Sequence, residues 1–561
     1  MAYIVGKKQR GQTFYHLVEN GRVDGKPRIV SQKYLGKAED IEAALSSALG
    51  VPDGTRHRGF GDLAAVWQML SRLGVVGIVD DVVGPVSVGA GVSVGTYMAL
   101  VIANRVVEPT SKLGFEKWWS QTSGERFTKV SATALDHRRI WDAMDAIDED
   151  QIIEIEARVS AAAIKIFGLD LSALALDMTN FATFIDSAND RNTIAQRGHA
   201  KQKRNDLRLV GLGLVVTRDG DIPICSHVYP GNRNDVSQFG DVITELARRY
   251  GQVAQDQELT VVYDAGQGSA DNQAAIEATG IGFISSVAPS DHPQLLAVPL
   301  ADYHAPDAQV FPGVVAYEST ALVFAKQRRV IVTHSDGLHH KQTQSFEHTT
   351  IAKAVGQLAT LEARLKQGKT RRLRPGVERE IVDILSPRWL NRVVDWELTG
   401  DEPSQFRLHF SVNAKKKAAL ETELFGKRVL FTDRVDWSIA DVIAGYRSQS
   451  GIESGFRQMK DPKVVSAGPM FHWTDHKVRV HMLTCVLALT TAQLMRRQTK
   501  QAGIDISVRE LLATLGAIQE TVLVYRGQKG RPRLRHQITE MDKNQRELFD
   551  IFELKELAPK G

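Results

Sequence analysis

Three acidic residues, Asp177, Asp264 and Glu453, stand where carboxylates could hold a metal ion. Asp177 closes the short apolar run Ser172-Ala173-Leu174-Ala175-Leu176, and Asp264 closes Leu259-Thr260-Val261-Val262-Tyr263. Both runs read as buried strands. Ligands gather outside the carboxyl ends of strands in open α/β sheets, and two carboxylates there can share Mg²⁺ or Mn²⁺ through hard oxygen ligands. An Asp at a strand end equally suits a turn or a helix cap, and position alone does not decide. Glu453 lies on a predicted helix. Tyr446, Gln449, Glu453 and Lys460 follow one another at spacings that place them within about 60° on one helix face. An acid flanked by a phenol, an amide and an ammonium can ligate metal while its neighbours hold phosphates. The same face could instead be a solvated amphipathic surface, with Ile452 and Phe456 packing the helix onto a sheet.

The elements that must carry these residues follow from periodicity. Residues 1–50 read as short strands, with turns at Asn20-Gly21 and Asp24-Gly25. Residues 51–168 read as a helical, DNA-binding region, and within it 82–104 as a glycine-rich turn followed by a buried helix. From 169 to 289 the order is strand to Asp177, strand 207–217, an Asp219-Gly220 hairpin turn and strand 222–229. A helix 237–250, a strand 259–263, a helix 270–279 and a strand 282–287 complete it. Three antiparallel strands and then two separated by helices is the order of a ribonuclease H-like mixed sheet. Residues 290–435 read as an inserted α+β domain. Residues 436–497 resume the core with the Glu453 helix, and 498–561 read as a basic tail. The fold expected is thus a multidomain α/β chain, its ribonuclease H-like core interrupted by an insert, behind an N-terminal β-hairpin and helical region.

Composition narrows the partners. A chain of 561 residues is too long for one core. Its apolar fraction of 43% and charged fraction of 24% are those of a soluble globular protein. The net charge is only +4, yet cations cluster in three places: 366–374, 526–535, and the group Lys201, Lys203, Arg204 and Arg208. Such clusters let a nearly neutral protein bind a polyanion, because neutralised phosphates release counterions. Two cysteines, Cys225 and Cys485, form neither a zinc site nor a disulfide framework. A cytoplasmic location without a membrane anchor is expected, since the N-terminal apolar run is short for a signal peptide. His334, His339, His340 and His348 fit no complete zinc set. The Gly266-Gln267-Gly268 turn lacks the third glycine of a dinucleotide fold.

Several segments together resemble bacterial insertion-sequence transposases with an aspartate-aspartate-glutamate site. Tyr446 to Lys460 resembles their tyrosine-arginine-glutamate-lysine motif, with Gln449 at the arginine position. Asp177-Met178-Thr179-Asn180-Phe181 resembles the first-aspartate motif, and Val262-Tyr263-Asp264-Ala265-Gly266 the second. The stretches 196–207, Tyr229-Pro230-Gly231-Asn232 and Phe471-His472-Trp473-Thr474-Asp475 are similar as well. So, more loosely, is the region around Arg105 to Trp119. The resemblance implies Asp177, Asp264 and Glu453 as catalytic ligands of two Mg²⁺ (or Mn²⁺) ions. It implies Tyr446, Gln449, Lys460, His199, Lys201, Lys203 and Arg204 as DNA contacts. The implied reaction is strand cleavage at an element's ends and transfer into target DNA. The partners are double-stranded DNA and a second copy of the chain when paired ends are bound, with the protein on the nucleoid. A nuclease of the same fold that does not join strands, and a non-catalytic DNA-binding derivative, are the alternatives. The presence of all three acids speaks against the latter.

Overall fold

The structure is a computed structural model describing residues 2–9, 11–23, 26–47, 51–86, 89, 91–198, 206–257, 259–369, 371–525 and 531–560. The chain divides into two compact units. One comprises Met1–Gln68, Gly114–Leu135 and Arg509–Gly561, the other Met69–Leu113 and Asp136–Val508.

The first unit opens with an antiparallel sheet of β1 (Ala2–Gln9), β2 (Gln12–Val23) and β3 (Lys26–Gly36), followed by β4 (Gly54–Gly59). Asn20-Gly21, expected as a turn, lies inside β2, where the register to β3 slips between Glu19 and Asn20. The second expected turn, at 24–25, lies outside the described residues.

The second unit holds an eight-stranded mixed sheet. Its strands are β5 (Ala173–Ala182), β6 (Leu209–Thr217), β7 (Pro223–Pro230), β8 (Thr260–Val262) and β9 (Gly282–Val287). They continue with β10 (Val314–Val323), β11 (Lys326–Ser335) and, after a separate hairpin of β12 (Val394–Thr399) and β13 (Arg407–Val412), β14 (Lys427–Thr432). The order is β10-β11-β14-β9-β8-β5-β6-β7. β5 runs antiparallel to β6 and parallel to β8, and β8 runs parallel to β9. Residues 290–435, expected as an insert, therefore supply three strands to this sheet. The helices from 336 to 424 and the β12–β13 hairpin lie outside it.

Alternate residues of the central strands feed two different cores, as a pleated strand requires. Leu174, Leu176 and Met178 of β5 and Val261 of β8 pack with Phe239, Val242 and Ile243 of the helix Asp235–Gln257. Val262 and Ile284 face the other way, packing with Val442, Ile443 and Tyr446 of the helix Ile439–Arg447. Asp177 and Thr179 share this second face by parity.

The helix Asp475–Gln501 is long and apolar enough to cross a membrane by length and composition, yet 94% of its apolar window is buried inside the protein. It is a core helix, packed with Val94–Val107 and Glu149–Phe167. The expected buried helix after the glycine-rich turn is thus present as Val94–Val107.

The expected basic tail is folded. A helix Val508–Gly516 leads into β15 (Gln519–Tyr525), which pairs with β16 (Arg533–Ile538) and with β4. Glu520, Val522 and Val524 of β15 are buried. The 51–168 region also splits, because 114–135 belongs with the first unit and 136–168 with the second.

Gly211 in β6 shows how closely the sheet is filled. A Cβ there would stand 2.1 Å from the buried ring of Tyr229. Gly211→Ala is expected to lower stability by about 1–3 kcal/mol, read as a fall in the thermal midpoint. An unchanged midpoint would mean that the ring moves aside freely.

Candidate active site

β5 does not end at Asp177, as its sequence suggested, but runs on to Ala182. Its partner β8 is shorter. The parallel pairing stops at Ala175 opposite Val262, and Val262 lies opposite Ile284 of β9. Two residues further along each strand stand Asp177, Asp264 and Ser286. Continuing the register therefore sets them in one row, on one face, about 4.8 Å between neighbouring strands. Asp177 is half-buried and Asp264 exposed.

Beyond β8 the chain turns sharply. Asp264 caps a short helical turn, Ala265–Gln267, by accepting from the Gly266 amide at 2.9 Å. That turn aims the buried Gln267 back at β5, where its Nε2 donates to Asp177 Oδ1 at 3.1 Å. The amide thus ties the turn begun by one acid to the carboxylate of the other. Sequence reasoning weighed Gln267 only as part of a glycine turn, and nothing in its spacing distinguished it.

The Glu453 helix is broken from its predecessor. One helix covers Ile439–Arg447 and a second Gln449–Lys460, with Ser448 between. Tyr446 is accordingly on a different helix from Gln449, Glu453 and Lys460. It is 8% exposed, and its hydroxyl lies 2.8 Å from Ser286 Oγ, next to Asp264 in the row. Burial pushes its pKa up. Tyr446 therefore packs beneath the sheet while still lining the cavity beside Glu453.

Lys460 donates to Thr179 Oγ1 at 2.6 Å and lies over the Phe181 ring. The second helix thus covers the face of β5 that carries Asp177. Its start, at Gly451, lies against Asp221 beyond the end of β6, so helix and strand run the same way. From Glu453 to Lys460 is about 10.5 Å of helix and from Asp177 to Thr179 about 6.6 Å of strand, which sets Glu453 within about 4 Å of Asp177's level along the strand.

Glu453 is exposed at the edge of a cavity of about 440 Å³ that Arg428, Tyr446, Arg447 and Gln449 also line. Gln449 Nε2 is buried there without a hydrogen-bond partner among the described residues. Arg447 reaches the same cavity, and the break at Ser448 resets the phase between the two helices. Arg428 carried no recognisable signal in its strand.

The donor set is oxygen throughout. Asp177 and Asp264 share a row, and Gln267 keeps a buried Oε1 without a hydrogen-bond partner. These groups fit a hard divalent cation. Glu453 is not gathered with them. Among the described residues, no three His, Cys, Asp or Glu side chains converge as a metal-holding group, so the expected three-acid cluster is not assembled in this structure.

The remaining motifs resolve into supports or fall outside view. Gly231 and Gly198 permit a close backbone approach: a Cβ on Gly231 would stand 2.0 Å from the Leu209 carbonyl, and one on Gly198 2.3 Å from the Gly231 carbonyl. Asp475 accepts from the Thr193 and Ile194 amides at 2.7 and 2.9 Å, pinning that loop to the core helix. Arg208 donates to the Asn189 and Ser187 carbonyls, so it braces its own loop. His199, Lys201, Lys203 and Arg204 lie outside the described residues. In the 366–374 cluster, Arg372 and Arg374 pair with Glu380 and Glu378, while Lys366, Lys369 and Arg371 are exposed.

Residues 170–490, more than half of the chain, match the family described as "Transposase DDE domain", and the chain belongs to that family. Membership makes it a transposase, of a family that generally uses divalent metal ions. Comparison with curated proteins returned no match. Among solved structures, the chain is similar to one described as "Cryo-EM structure of piggyBac transposase synaptic complex with hairpin DNA (SNHP)", at 8% identity and a TM-score of 0.35. The similarity covers 83% of this chain and 82% of that one. A likeness of that size establishes neither fold nor function here.

The tie through Gln267 can be tested on the family's reaction. Partners that orient a metal-binding carboxylate typically contribute about 10–100-fold to metal affinity or activity. Gln267→Leu should keep its thermal midpoint within a few degrees, lower DNA cleavage about tenfold and raise the Mg²⁺ concentration needed. Unaltered Mg²⁺ dependence would show that the amide does not position Asp177.

Proposed function

We propose that this chain cuts the ends of an insertion sequence and joins them to target DNA, using Asp177, Asp264 and Glu453 on a ribonuclease H-like core. The observation that carries the reading is the parallel pairing of β5 with β8, which ends two residues short of Asp177 and Asp264, together with the Gln267 bond from the Asp264 turn to Asp177. The strand order β9-β8-β5-β6-β7 within the sheet supports the core assignment. We also assign the chain to the bacterial type with the tyrosine-arginine-glutamate-lysine motif, Gln449 replacing the arginine.

In each step an oxygen nucleophile attacks a backbone phosphorus, one P–O bond forms and the opposite one breaks. Water is the nucleophile in cleavage, leaving a 3′-hydroxyl, and that hydroxyl attacks the target strand in transfer. Divalent cations bound to the acids, two in the full reaction, would activate the attacking oxygen and shield the leaving one. The chain's own residues hold and orient. Gln267 fixes the Asp177 carboxylate, and Lys460 sets an ammonium on the same face two residues beyond it. Gln449, with an unpaired amide nitrogen, can donate to a phosphate at the cavity. Exposed cations at 366–371, and those at 199–204, would hold flanking duplex. Paired ends would bring two copies of the chain together on DNA in the cytoplasm.

The test is incubation of the purified protein with its own flanking DNA and Mg²⁺, scoring nicked and joined products. Asp177→Ala, Asp264→Ala and Glu453→Ala should each lower cleavage at least a hundredfold while DNA affinity stays within a few-fold. Substantial Mg²⁺-dependent cleavage by any one of them would remove that residue from the site. Nicks without joined products would favour the nuclease alternative.

A further inference from the structure

A second pocket, in the same unit as the eight-stranded sheet, has no place in the strand chemistry. It is a cavity of about 440 Å³ lined by Arg105, Lys112, Trp141, Pro469, Phe471 and His472 among others, and none of its lining residues is an acid. The volume falls within the roughly 300–1,000 Å³ of small-ligand sites.

Three of its polar side chains, Lys112, His472 and Arg105, are buried. Lys112 is 9% exposed. Its ammonium has no hydrogen-bond or ion-pair partner among the described residues. A buried charge without a partner is costly, and burial brings the Lys112 pKa down to about 7. His472 is 4% exposed, and neither ring nitrogen has a hydrogen-bond partner among the described residues. Burial holds its pKa well below the usual histidine value. Arg105 is fixed by donation to the Gly468 carbonyl at 3.0 Å, to Asn104 Oδ1 at 2.9 Å and to the Thr110 carbonyl. It therefore contributes a rigid positive charge, while its Nε remains buried and unpaired.

The walls are aromatic. The Trp141 ring lies 5.7 Å from His472, and the half-exposed Phe471 ring lies tilted against Phe184 at 5.4 Å. A flat ring fits such walls, and the floor calls for an anion. A phosphate supplies several acceptor oxygens, enough for both the Lys112 ammonium and a His472 N–H.

We propose that this pocket binds a phosphorylated nucleotide, its phosphate on Lys112 and His472 and its base against Trp141 and Phe471. Two sources share this chemistry, a free nucleotide and an unpaired nucleotide of a DNA strand. Nothing in the proposal depends on the acids of the sheet.

The test is calorimetric titration of the full-length protein without metal, so that DNA chemistry plays no part. The probes are thymidine 5′-monophosphate, thymidine and inorganic phosphate, then a duplex with one unpaired 5′-phosphorylated nucleotide against the same duplex blunt. The nucleotide is expected to bind at least tenfold more tightly than thymidine or phosphate alone. A preference for the overhang duplex without binding of the free nucleotide would assign the strand as the source. Lys112→Met should abolish the preference while the thermal midpoint stays level or rises, since a buried unpaired charge is removed. His472→Leu should weaken binding with the fold retained. The proposal is overturned if thymidine and its monophosphate bind equally and the two duplexes do as well. It is overturned too if Lys112→Met keeps the preference, or if Lys112→Met melts far lower, which would mark the lysine as structural.

Discussion

The parallel pairing of β5 with β8, which ends just short of Asp177 and Asp264, is the constraint on which the rest of this site depends. β5 and β8 pair in parallel up to Ala175 and Val262, and the next residues of the same parity are Asp177 and Asp264. Carboxylates so placed repel one another, and a cation between them relieves the repulsion. The sheet keeps them there because their strands are anchored from both faces: Leu174, Leu176 and Val261 in one core, Val262 and Ile284 in the other. The early end of β8 is equally necessary. It lets the chain turn after Asp264 and return Gln267 to Asp177, so that the acids answer to one another through a single buried amide.

Much of this was legible in the sequence because it rests on local patterns. The strand Gly282–Val287 and the helix Ala270–Thr279 have the expected bounds, since Gly282 opens the strand, Gly280 closes the helix and Ser269 caps it. Asp177 was placed on the right strand, but the strand's extension past it was hidden. Asp177 interrupts the apolar run, and only the antiparallel partner β6 shows that pairing continues to Ala182. The break at Ser448 was equally hidden, because the angular positions of Tyr446 and Lys460 assume an unbroken helix. Its consequence is large. Tyr446 turns into the sheet, and Arg447 turns into the cavity beside Glu453.

Long-range pairing accounts for the other differences. β4 and β15 are more than four hundred residues apart and pair directly, which periodicity within a window cannot reveal. The same holds for β10, β11 and β14, whose alternation fits an independent domain as well as it fits the edge of a sheet begun at residue 173. The glycines at 198 and 231 read in sequence as parts of two family motifs. In the structure they are two sides of one close backbone contact at the start of β6. The buried Arg105 and Lys112 mark the opposite economy, cations kept inside where, among the described residues, no carboxylate pairs with them.

The central claim is that Asp177 and Asp264 form one cation site by register. The most direct measurement is electron paramagnetic resonance of bound Mn²⁺ in the full-length protein, alongside Asp177→Asn, Asp264→Asn and the double variant. If the two acids share the ion, either single substitution removes most of the bound signal and the double variant removes little more. If each single variant keeps the wild-type signal, or the two losses add as independent sites would, the register does not build a shared site and the account is wrong.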